Sequence, residues 1–136
     1  MDAVKLMEEA VRARDYAYAP YSRFKVGAAL VTKSGKVYTG CNIESASYTP
    51  TCCAERTAIF KAVSEGETEF AAIAIVGGGE NLSPICAPCG VCRQVIAEFC
   101  ESDMPIYLGT PENIRKTTLA ELLPYSFTRR DLQNNA

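Results

Sequence analysis

Two cysteine-bearing stretches far apart in the chain, Cys53-Ala54-Glu55-Arg56 and Pro88-Cys89-Gly90-Val91-Cys92-Arg93, most constrain what it can fold into. The chain has seven cysteines, at 41, 52, 53, 86, 89, 92 and 100, and no histidine. An odd number of cysteines with Cys-x-x-Cys spacing reads better as metal ligation than as a disulfide framework. Any metal site must then use thiolates, and any general base must be Glu, Asp, Lys, Tyr or Cys. A fold that serves such a site has to bring residue 53 and residues 89–92 to one point.

The local patterns supply that convergence. Asp2 is a candidate N-cap for a helix over residues 3–19, with Val4, Met7, Ala10, Val11 and Ala17 near one face and Pro20 as its stop. Residues 26–32 and 37–41, separated by Lys33-Ser34-Gly35-Lys36, predict a β-hairpin. The polar stretch 42–51 reads as a turn region and leads into a helix over 53–65, stopped by Gly66. The apolar run 71–76 predicts a buried strand parallel to its neighbour, since a helix precedes it. Gly77-Gly78-Gly79 does not fit a phosphate-loop pattern and is read as a flexible loop. A helix over 90–100, strands at 105–109 and 113–117, and a short helix from Leu119 to Leu123 follow, with a polar tail from Tyr125. Hairpin, helix, strand, helix, strand predicts a three-layer α/β/α sandwich with a mixed sheet, as one domain over 1–136.

Net charge is −2 and the longest basic cluster is Arg129-Arg130, so a nucleic-acid partner is not expected. No run approaches a membrane span and the first residues lack a signal-peptide core, which predicts a cytoplasmic protein.

In this frame Cys53 and Cys89 each begin a helix. Helix N-termini carry partial positive charge and free N–H groups, and both stabilise thiolates. Soft thiolates select zinc. Three of them leave a fourth position open, as a catalytic site requires. Arg56, one helical turn after Cys53, can donate to the sulfurs and offset their charge, and Glu55 can sit beside the metal as a proton shuttle without ligating it. Spacing alone equally allows a closed four-cysteine structural site, with Cys52 or Cys86 as the fourth ligand. Glu55 and Pro88 tip the balance, because Cys53-x-Glu55 followed by Pro88-Cys89-x-x-Cys92 matches the zinc-deaminase signature in its all-cysteine form.

The wider sequence resembles the cytidine deaminase family in its small bacterial form. The matching stretches are Tyr18 to Ser22, Phe24 to Leu30, Gly40 to Glu44, Cys53 to Ala58, Pro88 to Gln94 and Glu121 to Pro124. The resemblance implies one zinc ion per subunit on Cys53, Cys89 and Cys92, with Glu55 as proton shuttle. It implies hydrolytic deamination of cytidine and deoxycytidine to uridine and deoxyuridine, with release of ammonia, in pyrimidine salvage. It implies ribose recognition by Asn42 and Glu44, two apart in an extended segment and so on one face. Phe24 and Ala54 would lie against the base, and Tyr48 and Phe127 would help close a neighbouring subunit's pocket in a homotetramer. The sequence departs from the family at Ala87, where a serine is common, and carries extra cysteines at 52 and 86.

Overall fold

Small residues in the first strand let helices approach the sheet closely, and that approach organises the rest. In this computed structural model residues 1–133 are described. Residues 134–136, which the single-domain reading includes, lie outside them. Five strands form one sheet in the order β2-β1-β3-β4-β5: β1 is Lys25–Thr32, β2 Val37–Cys41, β3 Phe70–Gly78, β4 Ile106–Thr110 and β5 Asn113–Thr117. The hairpin register pairs Gly27 with Cys41 and Val31 with Val37. β3 is antiparallel to β1 and parallel to β4, and β5 returns antiparallel to β4. The expectation that residues 71–76 run parallel to a neighbour therefore holds on the β4 side and fails on the β1 side. The hairpin arrives first and pairs antiparallel, while the helical crossover between β3 and β4 enforces parallel pairing.

The strands alternate faces with period two. Ala28, Leu30, Ile73, Ile75, Ile106 and Leu108 pack under helices α2 (Ala54–Ser64), α3 (Gly90–Phe99) and α4 (Leu119–Leu122). Ala29, Val31, Ala72, Ala74 and Val76 face α1 (Ala3–Arg14) through Leu6, Met7 and Ala10. Helices thus cover both faces of a mixed sheet, the three-layer α/β/α arrangement. Each fully buried isoleucine or leucine contributes about 1.5–3 kcal/mol over its exposed state.

Three expectations need correction. α1 stops at Arg14, not 19, although Asp2 does cap it by accepting from Lys5 N. Past Asp15 the chain turns away to pair with another segment: Tyr18 N donates to the Asn42 carbonyl and Glu44 N to the Tyr18 carbonyl. This tertiary pairing overrides helix propensity before Pro20 is reached. The buried stripe of α1 is Leu6, Met7, Ala10 and Ala13, with Val4 exposed. Gly77 and Gly78 belong to β3 rather than to a loop, because they pair with Val26 and Lys25 of β1; a Cβ on Gly78 would lie 2.1 Å from the Asn81 carbonyl oxygen, so the turn that follows folds back over bare backbone. The tail contains a short helix, α5 (Arg129–Gln133), that its polar composition did not suggest.

Candidate metal centre

The topology explains how residues 53 and 89 meet. α2 connects to β3 through residues 65–69, so its N-terminus lies at the C-terminal end of β3. α3 follows β3 through residues 79–89, so its N-terminus begins at the same end. Cys53 is the N-cap of α2 and Cys89 the N-cap of α3, both in extended conformation. α2 is held against the sheet where Gly40 has no side chain: a Cβ there would sit 2.5 Å from the Ala54 carbonyl oxygen and 2.6 Å from the Ala58 nitrogen.

The Sγ atoms of Cys53, Cys89 and Cys92 all lie within 4.8 Å of one another, the one such donor group among the described residues. Cys53 Sγ is 3.6 Å from Cys89 Sγ. A tetrahedral zinc with Zn–S bonds of about 2.3 Å requires sulfurs about 3.8 Å apart, so the three thiols fit the ion. Cys92 N approaches Cys89 Sγ at 3.5 Å, as a helix N-terminus approaches a capping acceptor. Arg56 Nη2 donates to Cys53 Sγ at 3.4 Å. Neither Cys52 nor Cys86 belongs to the group: Cys52 Sγ accepts from Thr57 Oγ1 at 3.7 Å instead. The described thiols thus provide three donors and leave a fourth position, which disfavours the closed four-cysteine alternative.

The electrostatics follow from burial and from these contacts. Hydrogen bonds from the Cys92 thiol, the Arg56 guanidinium and the Cys89 thiol hold Cys53 down to about 5, against the effect of burial. Cys92, as donor to that thiolate and fully buried, is pushed up. The hydrogen bond to Cys53 strengthens the hold of Arg56 on its proton. Glu55 is 3% exposed, and its Oε1 has no hydrogen-bond partner. Burial, then the Cys53 thiolate, pushes its carboxyl up to about 7. A buried carboxyl with a free oxygen and a pKa near neutrality is equipped to exchange a proton with a bound molecule.

The other candidate residues fall in two groups. Ala54 is fully buried at the start of α2. Phe24, Asn42 and Glu44 lie around the segment entering β1. Asn42 accepts from Val26 N at 2.9 Å and donates to the Phe24 carbonyl at 2.8 Å, so its amide fixes the backbone that carries Phe24. Glu44 accepts from the Ser22 hydroxyl, from Ser22 N at 3.1 Å and from Tyr21 N at 3.0 Å, and these bonds hold its carboxyl below its ordinary value. It borders a cavity of ≈ 350 Å³ shared with Tyr21, Ser22, Tyr48 and Thr51. Tyr48 is exposed and held at φ 60°, in the left-handed region. Phe127 is largely exposed, with its carbonyl accepting from Gln94 Nε2 at 2.7 Å. Sequence reasoning missed Arg93, whose Nε donates to the Pro88 carbonyl at 2.8 Å and whose Nη1 donates to the Leu122 carbonyl at 2.7 Å. Its acceptors are backbone atoms, which leave no side-chain signal.

This geometry has close counterparts. The family model for the cytidine and deoxycytidylate deaminase zinc-binding region matches residues 1–108. The chain belongs to the cytidine deaminase family. It is 53% identical to a cytidine deaminase of Sporosarcina psychrophila over 97% of this chain and 96% of that one. It is 52% identical to one of Halalkalibacterium halodurans over 98% of this chain and 100% of that one. The crystal structure of cytidine deaminase from Burkholderia pseudomallei superposes with a TM-score of 0.85 at 49% identity, over 93% of this chain and 100% of that chain. A cytidine deaminase family member is a hydrolase and its cofactor is zinc. The three converging sulfurs are a donor set that suits this ion.

Proposed function

We propose that the protein hydrolyses cytidine and deoxycytidine to uridine and deoxyuridine, releasing ammonia, within pyrimidine salvage in the cytoplasm. Residues 1–136 are read as a single catalytic domain. The observation that carries the reading is Glu55: a buried carboxyl with an unpartnered oxygen and a pKa of about 7, beside three convergent thiols. In this reading Cys53, Cys89 and Cys92 hold the zinc. When bound there, zinc supplies the Lewis acidity that activates a water for attack on C4 of the cytosine ring.

Glu55 accepts the proton of that water, delivers it to N3, and then helps protonate the departing amine. One water enters and one ammonia leaves, so the residue ends as it began. Arg56 neutralises part of the thiolate charge, which would otherwise weaken the acidifying power of a zinc held there. Phe24 and Ala54 cover the base, while Asn42 and Glu44 meet the sugar hydroxyls. Glu44 is suited to this because it is ionised and lies on a cavity.

Tyr48 and Phe127 are assigned to a neighbouring subunit's pocket in a homotetramer. Their exposures of 74% and 60% support a role outside their own core. No described helix is long and apolar enough to cross a membrane.

The test is ammonia release from cytidine, deoxycytidine, cytosine, CMP and adenosine. Turnover of the two cytosine nucleosides alone is expected. Zinc content near one per chain without release from any of them favours a structural metal site and overturns the reading.

A further inference from the structure

Four cysteines remain outside the metal centre: Cys41, Cys52, Cys86 and Cys100. Cys86 stands apart by position. Gly77, near the end of β3, lies on the strand face that carries Ile73 and Ile75, the face covered by α2 and α3. A Cβ on Gly77 would be 2.5 Å from Cys86 Sγ and 3.1 Å from Phe24 Cε1. The thiol and the ring therefore both border the bare backbone of Gly77, at the strand end where the two helix N-termini converge. Cys86 is half-buried. Burial pushes its thiol up to about 11, and the charges of Glu55 and Cys53 add to this. Cys86 thus shares the bare backbone of Gly77 with Phe24 and feels the Glu55 charge, yet stays outside the metal's donor set.

We propose that Cys86 is a specificity-determining residue of the base chamber: packed with Phe24 over Gly77, its side chain sets how deep a pyrimidine ring can enter. The proposal rests on the deaminase reading above, in which Phe24 covers the base and Glu55 delivers a proton to its N3. A neutral thiol behaves as a small hydrophobe. It offers the ring edge an apolar surface and competes weakly with Glu55 for the ring nitrogens, whereas a strong donor there would compete. The missing Cβ of Gly77 makes the room that the sulfur fills, so the depth of the chamber at this point is set by one side chain.

Two measurements test this on the zinc-loaded protein. The first is iodoacetamide labelling at Cys86 and Cys41, resolved by fragmentation mass spectrometry, with and without saturating uridine. Uridine is expected to slow Cys86 labelling by about tenfold and leave Cys41 unchanged, as for a side chain in a ligand pocket. The second is kinetics of Cys86→Leu and Cys86→Ala. Cys86→Leu is expected to raise KM for cytidine about tenfold with kcat within about threefold, since the contact is made equally in ground and transition states. Cys86→Ala, which deepens the chamber instead of filling it, is expected to raise KM for cytidine by a smaller factor, about threefold, with kcat unchanged. Ammonia release by the parent with Cys86 unprotected by uridine overturns this proposal alone. Equal losses in both variants, tracking a fall in melting temperature, show a packing role and also overturn it. Absence of ammonia release by the parent overturns the deaminase reading itself.

Discussion

Replacing Glu55 by Gln is expected to stabilise the protein while abolishing its activity. The carboxyl rises from an ordinary 4.5 to about 7 on folding, chiefly because the fold buries it. Each pKa unit is 1.36 kcal/mol, so the ionised side chain costs the native state roughly 3 kcal/mol. The sign is that of a raised pKa. Below 4.5 the carboxyl is protonated folded and unfolded, and no penalty exists. As pH rises from 4.5 to 7 the unfolded chain ionises first and stability is lost, and above 7 the penalty is constant. The penalty belongs to the metal-free thiol cluster, so the comparison is made on protein stripped of zinc. Glutamine has the same shape without the charge, and the cost of burying its amide does not depend on pH. The assay is urea unfolding of parent and Glu55→Gln at equal protein concentration, with zinc removed by a chelator, at pH 5 and pH 8. The stability difference in favour of the variant should grow from under about 1 kcal/mol at pH 5 to roughly 3 kcal/mol at pH 8, relative to the pH-independent offset. Ammonia release should fall by about 10³-fold, within the range for losing a general acid–base group. A stability difference that is the same at both pH values within about 0.5 kcal/mol refutes the reasoning, whatever the activity does.

Other perturbations address the metal centre and its surroundings. Cys89→Ala removes one of three sulfurs, and zinc per chain by atomic absorption should drop well below that of the parent; retained zinc at unchanged affinity counts against a ligand role. Arg56→Gln removes the donor 3.4 Å from Cys53 Sγ and should weaken zinc binding by about 10–100-fold in chelator competition, with Arg56→Lys intermediate. Glu44→Gln should lower kcat/KM for cytidine by about tenfold, mostly through KM, and an unchanged value assigns Glu44 to its loop alone. Gly40→Ala places a methyl against backbone atoms of α2; it should cost about 1–3 kcal/mol in unfolding and lower zinc content, because α2 carries Cys53.

Much of the fold was legible because its signals are local. The polar Lys33-Ser34-Gly35-Lys36 between two strand-like runs marks the hairpin, and the continuous run 71–76 marks the central strand. Cysteine spacing, Glu55 and Pro88 mark the metal centre without any knowledge of the sheet. What stayed hidden depends on partners distant in the chain. The pattern of α1 extends past Arg14, and only the pairing of Tyr18 with residues 42–44 ends it. Gly77 and Gly78 look like a loop until the packing of Cys86, Phe24 and Asn81 against them is known. Arg93 holds Pro88 and Leu122 through carbonyls, which every residue possesses. The family resemblance assigns Asn42 to the sugar, while in the structure its amide is engaged with the backbone of residues 24 and 26.

That last observation changes how the substrate side of the site works. Asn42 retains one N–H and one carbonyl lone pair beyond its two backbone bonds. Any sugar contact it makes is therefore a third or fourth bond from an already fixed group, which loses little freedom on binding. The same two bonds hold the backbone on either side of Lys25, and with it Phe24. Removing the amide thus perturbs the base and the sugar together. In Asn42→Ala, free nucleobase and nucleoside should lose binding alike, whereas Glu44→Gln, whose bonds reach Tyr21 and Ser22, should penalise the nucleoside alone. Inhibition constants for cytosine and uridine in the two variants separate these roles, and a loss confined to uridine in Asn42→Ala defeats the argument that Asn42 acts through Phe24.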